Sequence, residues 1–337
     1  MQVSPKTILV MRFSSLGDVA LTVPVLKKVV ADNPGYDFVM LSDLKYADLF
    51  LGIDRLRFQG VDLKNEYRGI IGVIKIFFLL IKRYEISAVA DLHGVLRTQL
   101  LRILFFLLNR NVAMIYKGRA EKSALTRKKN KIVRPLPHTT ERYLNVFEQL
   151  GLTVNRQLST KSTIAIKKPL GSTRKIGFAP FAKHAPKMYP LEKMLEVIHH
   201  FDKDGYEIFL FGAGANEEAV INDWRTKLHR VIGDNLSMTI ADELTLMSSL
   251  DLMVTMDSAN MHLASLANVP VVSIWGATHP YAGFYGYNQG LQNAIQKDLS
   301  CRPCSVYGNK TCWRGDHACM NQINLNDIIA KIEKLIC

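Results

Sequence analysis

Three short segments of this 337-residue chain hold side chains suited to chemistry on an anionic substrate. The first is Arg12-Phe13-Ser14-Ser15-Leu16-Gly17-Asp18, where an apolar run ends in small residues and an aspartate. Asp18 has two readings. It can cap the helix it opens, favoured by the positive end of the helix dipole, or it can face a cleft as a general base. The roles can coexist. The second segment runs from Phe178 to Pro190 and places Lys183 and Lys187 ahead of a helix. Two ammonium groups and free backbone N–H groups suit a phosphate, and an ordinary loop with solvated lysines is the plainer reading. The third is Met256-Asp257-Ser258-Ala259-Asn260-Met261-His262. Ser258 and His262 stand four apart, on one face of a helix, and backbone N–H groups at such a turn bind phosphate. A single histidine in an apolar helix is more often structural.

Weaker signals accompany these. Gly212-Ala213-Gly214 is half of a dinucleotide fingerprint, followed by Glu217 and Glu218, which suit a ribose or simply the helix dipole. Cys301-x2-Cys304, with Cys312, Cys319 and His317 nearby, admits a structural zinc, against the simpler reading of buried free thiols. Lys117 to Arg134 holds eight bases and one acid, Glu121.

The elements that must position these groups alternate. Strands are expected at 7–13, 38–41, 87–90 and 112–115, and helices at 18–30, 70–82, 95–108 and 141–150. A polar stretch, 151–174, reads as a linker. A second series follows, with strands at 175–179, 207–211, 252–256 and 271–275 and helices at 191–201, 217–227, 258–267 and 325–336. Strands alternating with helices imply a mainly parallel α/β sheet in each half, with ligands beyond the C-terminal strand ends. The expected domains are 1–165 and 166–337. The apolar helices at 70–81 and 100–108 are expected to bury themselves against the sheet, whose two faces need cover; docking on a bilayer is the other reading.

Composition narrows the partners. The chain carries 43 Lys/Arg and 30 Asp/Glu, net +13, which points to nucleic acid, an acidic membrane surface or a phosphorylated substrate. Residues 1–165 hold 26 bases and 13 acids, whereas 166–337 hold 17 of each. The basic segment has only Tyr116 at its margin, and single-strand binding needs interleaved aromatics, so nucleic acid ranks low. A nicotinamide dehydrogenase would need the complete glycine fingerprint. The first residues show no signal-peptide pattern, the longest apolar run is too short to span a bilayer, and five cysteines are too few for a disulfide scaffold. A cytoplasmic protein is expected.

Together, Ile8 to Asp18, the lysine loop, Asp257-Ser258-x3-His262-Leu263-Ala264, Trp275-Gly276-Ala277-Thr278-His279-Pro280 and the C-terminal cysteines resemble the family 9 glycosyltransferases, whose best-known members are lipopolysaccharide heptosyltransferases. The resemblance covers nearly the whole chain. It implies a GT-B fold, two Rossmann-like domains across a central cleft, with the last helix returning to the N-terminal domain. It implies inverting transfer without a metal or other cofactor, usually from ADP-heptose to the growing inner core, a lipid A–Kdo type acceptor, at the cytoplasmic face of the inner membrane. On the same resemblance, Asp18 is the base and Lys187 holds donor phosphate. Ala182 and Lys183 stand where hydroxyl residues often contact the diphosphate. Asp257, Ser258 and His262 belong to the donor helix, with Ala259 in place of the usual glycine. Asn216 or Glu217, with Glu217 preferred, is the ribose-binding position. Acceptor contacts are expected in the N-terminal half, at Ser15, Gly17, His93, Arg97, Arg127, Lys128 and Lys129.

Overall fold

The computed structural model describes residues 6–156, 173–232 and 238–336, which form two compact units. The first contains the described residues of Met1–Lys117 and Thr139–Ser159, the second those of Gly118–His138 and Thr160–Cys337. The expected boundary at 165/166 and most of the expected linker lie outside the described residues.

Each unit is built on a five-stranded parallel sheet. In the first, β1 (Lys6–Met11), β2 (Tyr36–Asp43), β3 (Leu56–Val61), β4 (Ile86–Asp91) and β5 (Asn111–Met114) run in the order β3-β2-β1-β4-β5. Ile8 to Met11 are all buried, which is why β1 reads as an unbroken apolar run: a central parallel strand is covered on both faces. The expected helix 18–30 is two helices, α1 (Leu16–Ala20) and α2 (Thr22–Asp32). The break puts Pro24 in the first turn of α2, where its missing N–H costs nothing.

The helices α3 (Gly69–Arg83) and α4 (Leu96–Leu107) flank this sheet, and α6 (Thr139–Gln149) completes the unit. In α3, Val73, Ile76, Phe77 and Leu80 face the core. The expected burial against the sheet is found on this side, but it does not cover the whole helix. Ile70, Ile71, Ile74, Phe78 and Ile81 stand 41–71% exposed. At 100° per residue they form one stripe alongside the core-facing one, its centre about 120° away.

In the second unit, β6 (Lys175–Ala179), β7 (Glu207–Leu210), β8 (Leu252–Met256), β9 (Val271–Trp275) and β10 (Ala294–Gln296) run β10-β9-β8-β6-β7. Its helices are α5 (Arg119–Thr126), α7 (Leu191–Lys203), α8 (Ala215–Arg225), α9 (Ile240–Ser248), α10 (Ala259–Leu266), α11 (Ala318–Asn321) and α12 (Leu325–Ile336). The last helix was expected to return to the N-terminal domain. Instead, Ile328, Ile332 and Ile336 of α12 join the core of the second unit.

The segment Gly118–His138 leaves the first unit and packs on the second. Leu125 and Leu136 share an apolar cluster with Ala282; the Leu136 N–H donates to the Tyr281 carbonyl at 2.9 Å; the Lys122 ammonium sits 4.2 Å from the Phe284 ring centre. Gly283 has φ +81°, and a Cβ there would overlap the Pro137 carbonyl, so the turn that meets this segment requires glycine. This placement redistributes the charge. By structural unit, the first holds 18 Lys/Arg against 12 Asp/Glu and the second 25 against 18. The excess is +6 and +7, not +13 and zero.

Candidate active site

In the first unit, β1 ends at Met11 and the loop to α1 brings Arg12, Ser15 and Asp18 together. Ser15 caps α1. Its Oγ donates to Asp18 Oδ2 at 2.8 Å and its N–H to the same oxygen at 3.3 Å. Arg12 Nη2 stands 2.6 Å from that oxygen. Arg12 is buried, its Nη1 donates to the Leu92 carbonyl at 2.9 Å, and its guanidinium lies 5.9 Å from the Tyr143 ring centre. The Tyr143 hydroxyl donates to the Asp18 carbonyl at 3.2 Å. The carboxylate is thus fixed by a cation and a cap, yet its side chain is 25% exposed and open to a substrate. Asp18 fills its capping role here, and that orientation is also what a positioned base needs.

His93 belongs to the same cluster. It follows β4, where buried Asp91 accepts from the N–H groups of His93 (3.0 Å) and Gly94 (2.8 Å). The Phe13 N–H donates to His93 Nδ1 at 3.3 Å, so the neutral ring carries its proton on Nε2 and offers a donor there. Burial, reinforced by the Arg12 and Lys117 charges, pushes its pKa down to about 3. Arg97, at the start of α4, is close enough to add to that effect. Gly17 is buried inside α1. Ser15, Gly17, His93 and Arg97 are therefore all in or beside this loop cluster. Arg12 and Tyr143, which hold Asp18, were not among the expected site residues; Arg12 had a signal, its place in the N-terminal motif.

In the second unit, the loops after β6, β8 and β9 meet, because those strands are neighbours in one parallel sheet. Lys187 Nζ lies 3.0 Å from Asp257 Oδ2, and both side chains are largely buried. An ammonium has three protons, so this pair leaves Lys187 further donors. Gly308 has φ +77°, and a Cβ there would overlap the Lys187 stem; Gly276 similarly faces the Pro186 carbonyl. Close packing thus confines the lysine from two sides. Ser258 opens α10 and its Oγ lies 3.1 Å from Thr255 Oγ1; Ala259 is half-buried and His262 buried on that helix. Glu217 sits in the first turn of α8, its Oε2 accepting from the Ala213 N–H at 2.9 Å. Lys183 is exposed, and Ala182 packs against the core, so neither repeats the confinement of Lys187.

Arg127, Lys128 and Lys129, expected in the N-terminal half, lie in the second unit. Arg127 and Lys128 line a cavity of about 290 Å³ with Lys131, Lys310 and Trp313. Lys128 lies 5.4 Å from the Trp313 ring centre, and Lys131 donates to the carbonyls of Ser300 and Cys301. Cys301 and Cys304 line this cavity and, with Cys312 and Cys319, a second, smaller pocket; all four are free thiols, and burial pushes Cys319 up to about 11. Among the described residues no group of three or more His, Cys, Asp or Glu is placed to hold a metal ion.

Two Rossmann-like parallel sheets, with strand-end loops carrying a fixed aspartate in one and a confined lysine in the other, give a fold of the GT-B type. Residues 81–313 match the model of glycosyltransferase family 9 (heptosyltransferase), and the chain belongs to that family. It is 28% identical over 137 residues to lipooligosaccharide heptosyltransferase 2 of Campylobacter jejuni, an alignment covering 39% of this chain and 41% of that protein. The family 9 glycosyltransferase structure from Veillonella parvula is 19% identical with a TM-score of 0.75, covering 100% of this chain and 98% of that one. Escherichia coli heptosyltransferase WaaC, solved with ADP-2-deoxy-2-fluoro heptose, is 19% identical with a TM-score of 0.68, covering 97% and 99%.

Proposed function

We propose that this protein transfers a heptose, with inversion and without a metal ion, from ADP-heptose to the inner core of a lipopolysaccharide acceptor. The observation that carries this reading is the Asp18 carboxylate, held by Arg12 and Ser15 yet open to solvent, in a chain of the heptosyltransferase family. The WaaC structure, which holds a fluorinated ADP-heptose, supports the choice of donor.

In this mechanism Asp18 accepts the proton of an acceptor hydroxyl as that oxygen forms a bond to the anomeric carbon. The bond from that carbon to the diphosphate breaks, and ADP leaves with the electron pair. Lys187 and the backbone N–H groups at the start of α10, opened by Ser258 and Ala259, stabilise the developing charge. Asp257 orients Lys187. Glu217 contacts the ribose, and His262 supports the helix from within. Lys183 meets the diphosphate from the loop, and Ala182 leaves that contact to backbone groups. On the acceptor side, Ser15, Gly17, His93 and Arg97 meet the sugar end. Arg127, Lys128 and Lys129 meet phosphate or carboxylate groups, for which the four cations around the 290 Å³ cavity are suited. The basic segment is thus read as a contact for an acidic glycolipid and not for nucleic acid. No described helix is long and apolar enough to cross a membrane; the enzyme works at the cytoplasmic face of the inner membrane.

The test is incubation with a panel of nucleotide sugars and a lipid A–Kdo acceptor, read by mass spectrometry. Addition of one heptose from ADP-heptose is expected. Transfer from a different nucleotide sugar alone would replace the donor, and no transfer from any would remove the proposal.

A further inference from the structure

The first unit leaves an apolar surface that its core does not use. Ile70, Ile71, Ile74, Phe78 and Ile81 form one stripe on α3. Leu96, Ile103, Phe106, Leu107 and Leu108 stand 46–82% exposed along α4 and its end. The two helices pack on each other beneath these faces, with Phe77 and Phe105 in edge contact at 5.2 Å between ring centres. Ten exposed large apolar side chains on two joined helices exceed what isolated surface residues account for. The surroundings are basic. From Arg68 to Lys117 the chain carries eight Lys/Arg and two carboxylates, and one of those, Asp91, is buried. Lys75 and Lys82 are exposed, seven residues apart along the edge of the α3 stripe.

We infer that the outer face of α3 and α4 is the surface by which this protein lies on an anionic phospholipid bilayer. The inference rests on the reading of a lipid-linked acceptor and adds where the protein meets the membrane. Charge complementarity selects the occupant. A stripe of Ile and Phe edged by lysine fits the boundary between acyl chains and acidic headgroups. With 15 residues, α3 is too short to span, so it lies in the interface plane. The face of a second copy would bring the same lysines and arginines against each other across an isologous contact, which like charges disfavour.

The experiment is co-sedimentation with vesicles free of glycolipid, either phosphatidylcholine alone or phosphatidylcholine with phosphatidylglycerol. Wild-type protein is expected to partition at least tenfold better into the anionic vesicles. Ile74→Gln/Phe78→Gln/Leu107→Gln should lower that partitioning tenfold or more, and Lys75→Glu/Lys82→Glu should remove the preference for anionic lipid. All five side chains are exposed, so an unchanged circular-dichroism melt shows that the fold is kept. Vesicle binding that ignores both variants overturns the inference. So does a concentration-dependent dimer, seen by sedimentation velocity, that the triple variant dissolves while vesicles are not bound; that result gives the face to a second copy. Because these vesicles hold neither donor nor acceptor, failed sugar transfer would remove the heptosyltransferase reading and leave a positive vesicle result standing.

Discussion

The two units share one plan, a five-stranded parallel sheet between helices, and differ in what their helices show to solvent. In the second unit, the outward positions of α7 include Glu192, Lys193, Glu196 and Lys203, and those of α12 include Asp327, Lys331, Glu333 and Lys334. In the first, the outward positions of α3, α4 and its end include ten large apolar residues, Ile, Phe and Leu, beside lysines such as Lys75 and Lys82. The sheet therefore does not dictate an apolar outer face, since one copy of the architecture does without it. Charge teaches the reverse lesson. Divided at mid-sequence, the excess of bases falls entirely in one half; divided by structure, it is shared as +6 and +7. What separates the units is apolar exposure, and the groups given roles in the proposed mechanism also divide. The fixed carboxylate is in the unit with the apolar face, and the confined lysine is in the other.

The hardest test of that division is Asp18→Asn. Removing a general base typically costs 10²–10⁴ in rate. Turnover should fall in that range while ADP affinity, which the proposed function gives to the second unit, stays within twofold. The Ser15 cap can still donate to an amide oxygen, but buried Arg12 loses its charged partner, so the melting temperature should fall while the fold is kept. Turnover near wild type would mean that the carboxylate is only a cap, and a large loss of ADP affinity would mean that the two roles do not divide between the units.

Acid should then separate the units by stability. Burial pushes His93 of the first unit down to about 3, and His138 and His279 of the second down to about 4. All three lie below the ordinary value near 6.5, so the unfolded chain binds more protons than the folded one as pH falls through 6.5. Stability is complete above that pH and declines toward 4. Between pH 6.5 and 5.5 the loss is about 1 kcal/mol each for His93 and His138. It is smaller for His279, which solvent screens. Melts followed over this window should show the second unit losing more, and His138→Gln should flatten its decline. A stability that rises on acidification would reverse the assignment.

Much of this arrangement is legible in sequence because it is local. Ile8 to Met11, Phe178-Ala179 and Met253 to Met256 read as covered strands, and the groups that follow them must sit at strand ends. The Asp18 cap is also local, three residues from Ser15. Two features were not legible. Residues 118–138 read as a basic, polar stretch of the N-terminal half because the contacts that claim them, Leu136 to Tyr281 and His138 to Tyr285, span about 145 positions. The outer face of α3 was misassigned because Ile70 to Ile81, interrupted only by Gly72 and Lys75, is apolar on nearly every side, so periodicity cannot say which side is covered. The short edge strands β3 and β10 and the helices α5 and α9 went unseen for lack of a sustained apolar pattern.

The smallest expected effect is the most diagnostic for the second unit. Apart from its excursion, residues 160–337 hold 18 bases and 17 acids, so on the proposed function the diphosphate is met by placed groups and not by a general field. Lys187→Ala should weaken ADP about tenfold, the worth of a hydrogen bond to a charged group. Adenosine, which lacks the diphosphate, should bind the variant and the wild type alike, and calorimetry of both ligands checks this. Removing the ammonium also leaves Asp257 without its 3.0 Å partner beside the ligand. That carboxylate would repel the diphosphate and inflate the loss. Lys187→Ala/Asp257→Asn removes the repulsion, so the double variant should recover part of the affinity but not all of it. Full recovery would mean that Lys187 serves only to neutralise Asp257, and an equal loss of adenosine binding would mean that it serves only to hold the loop.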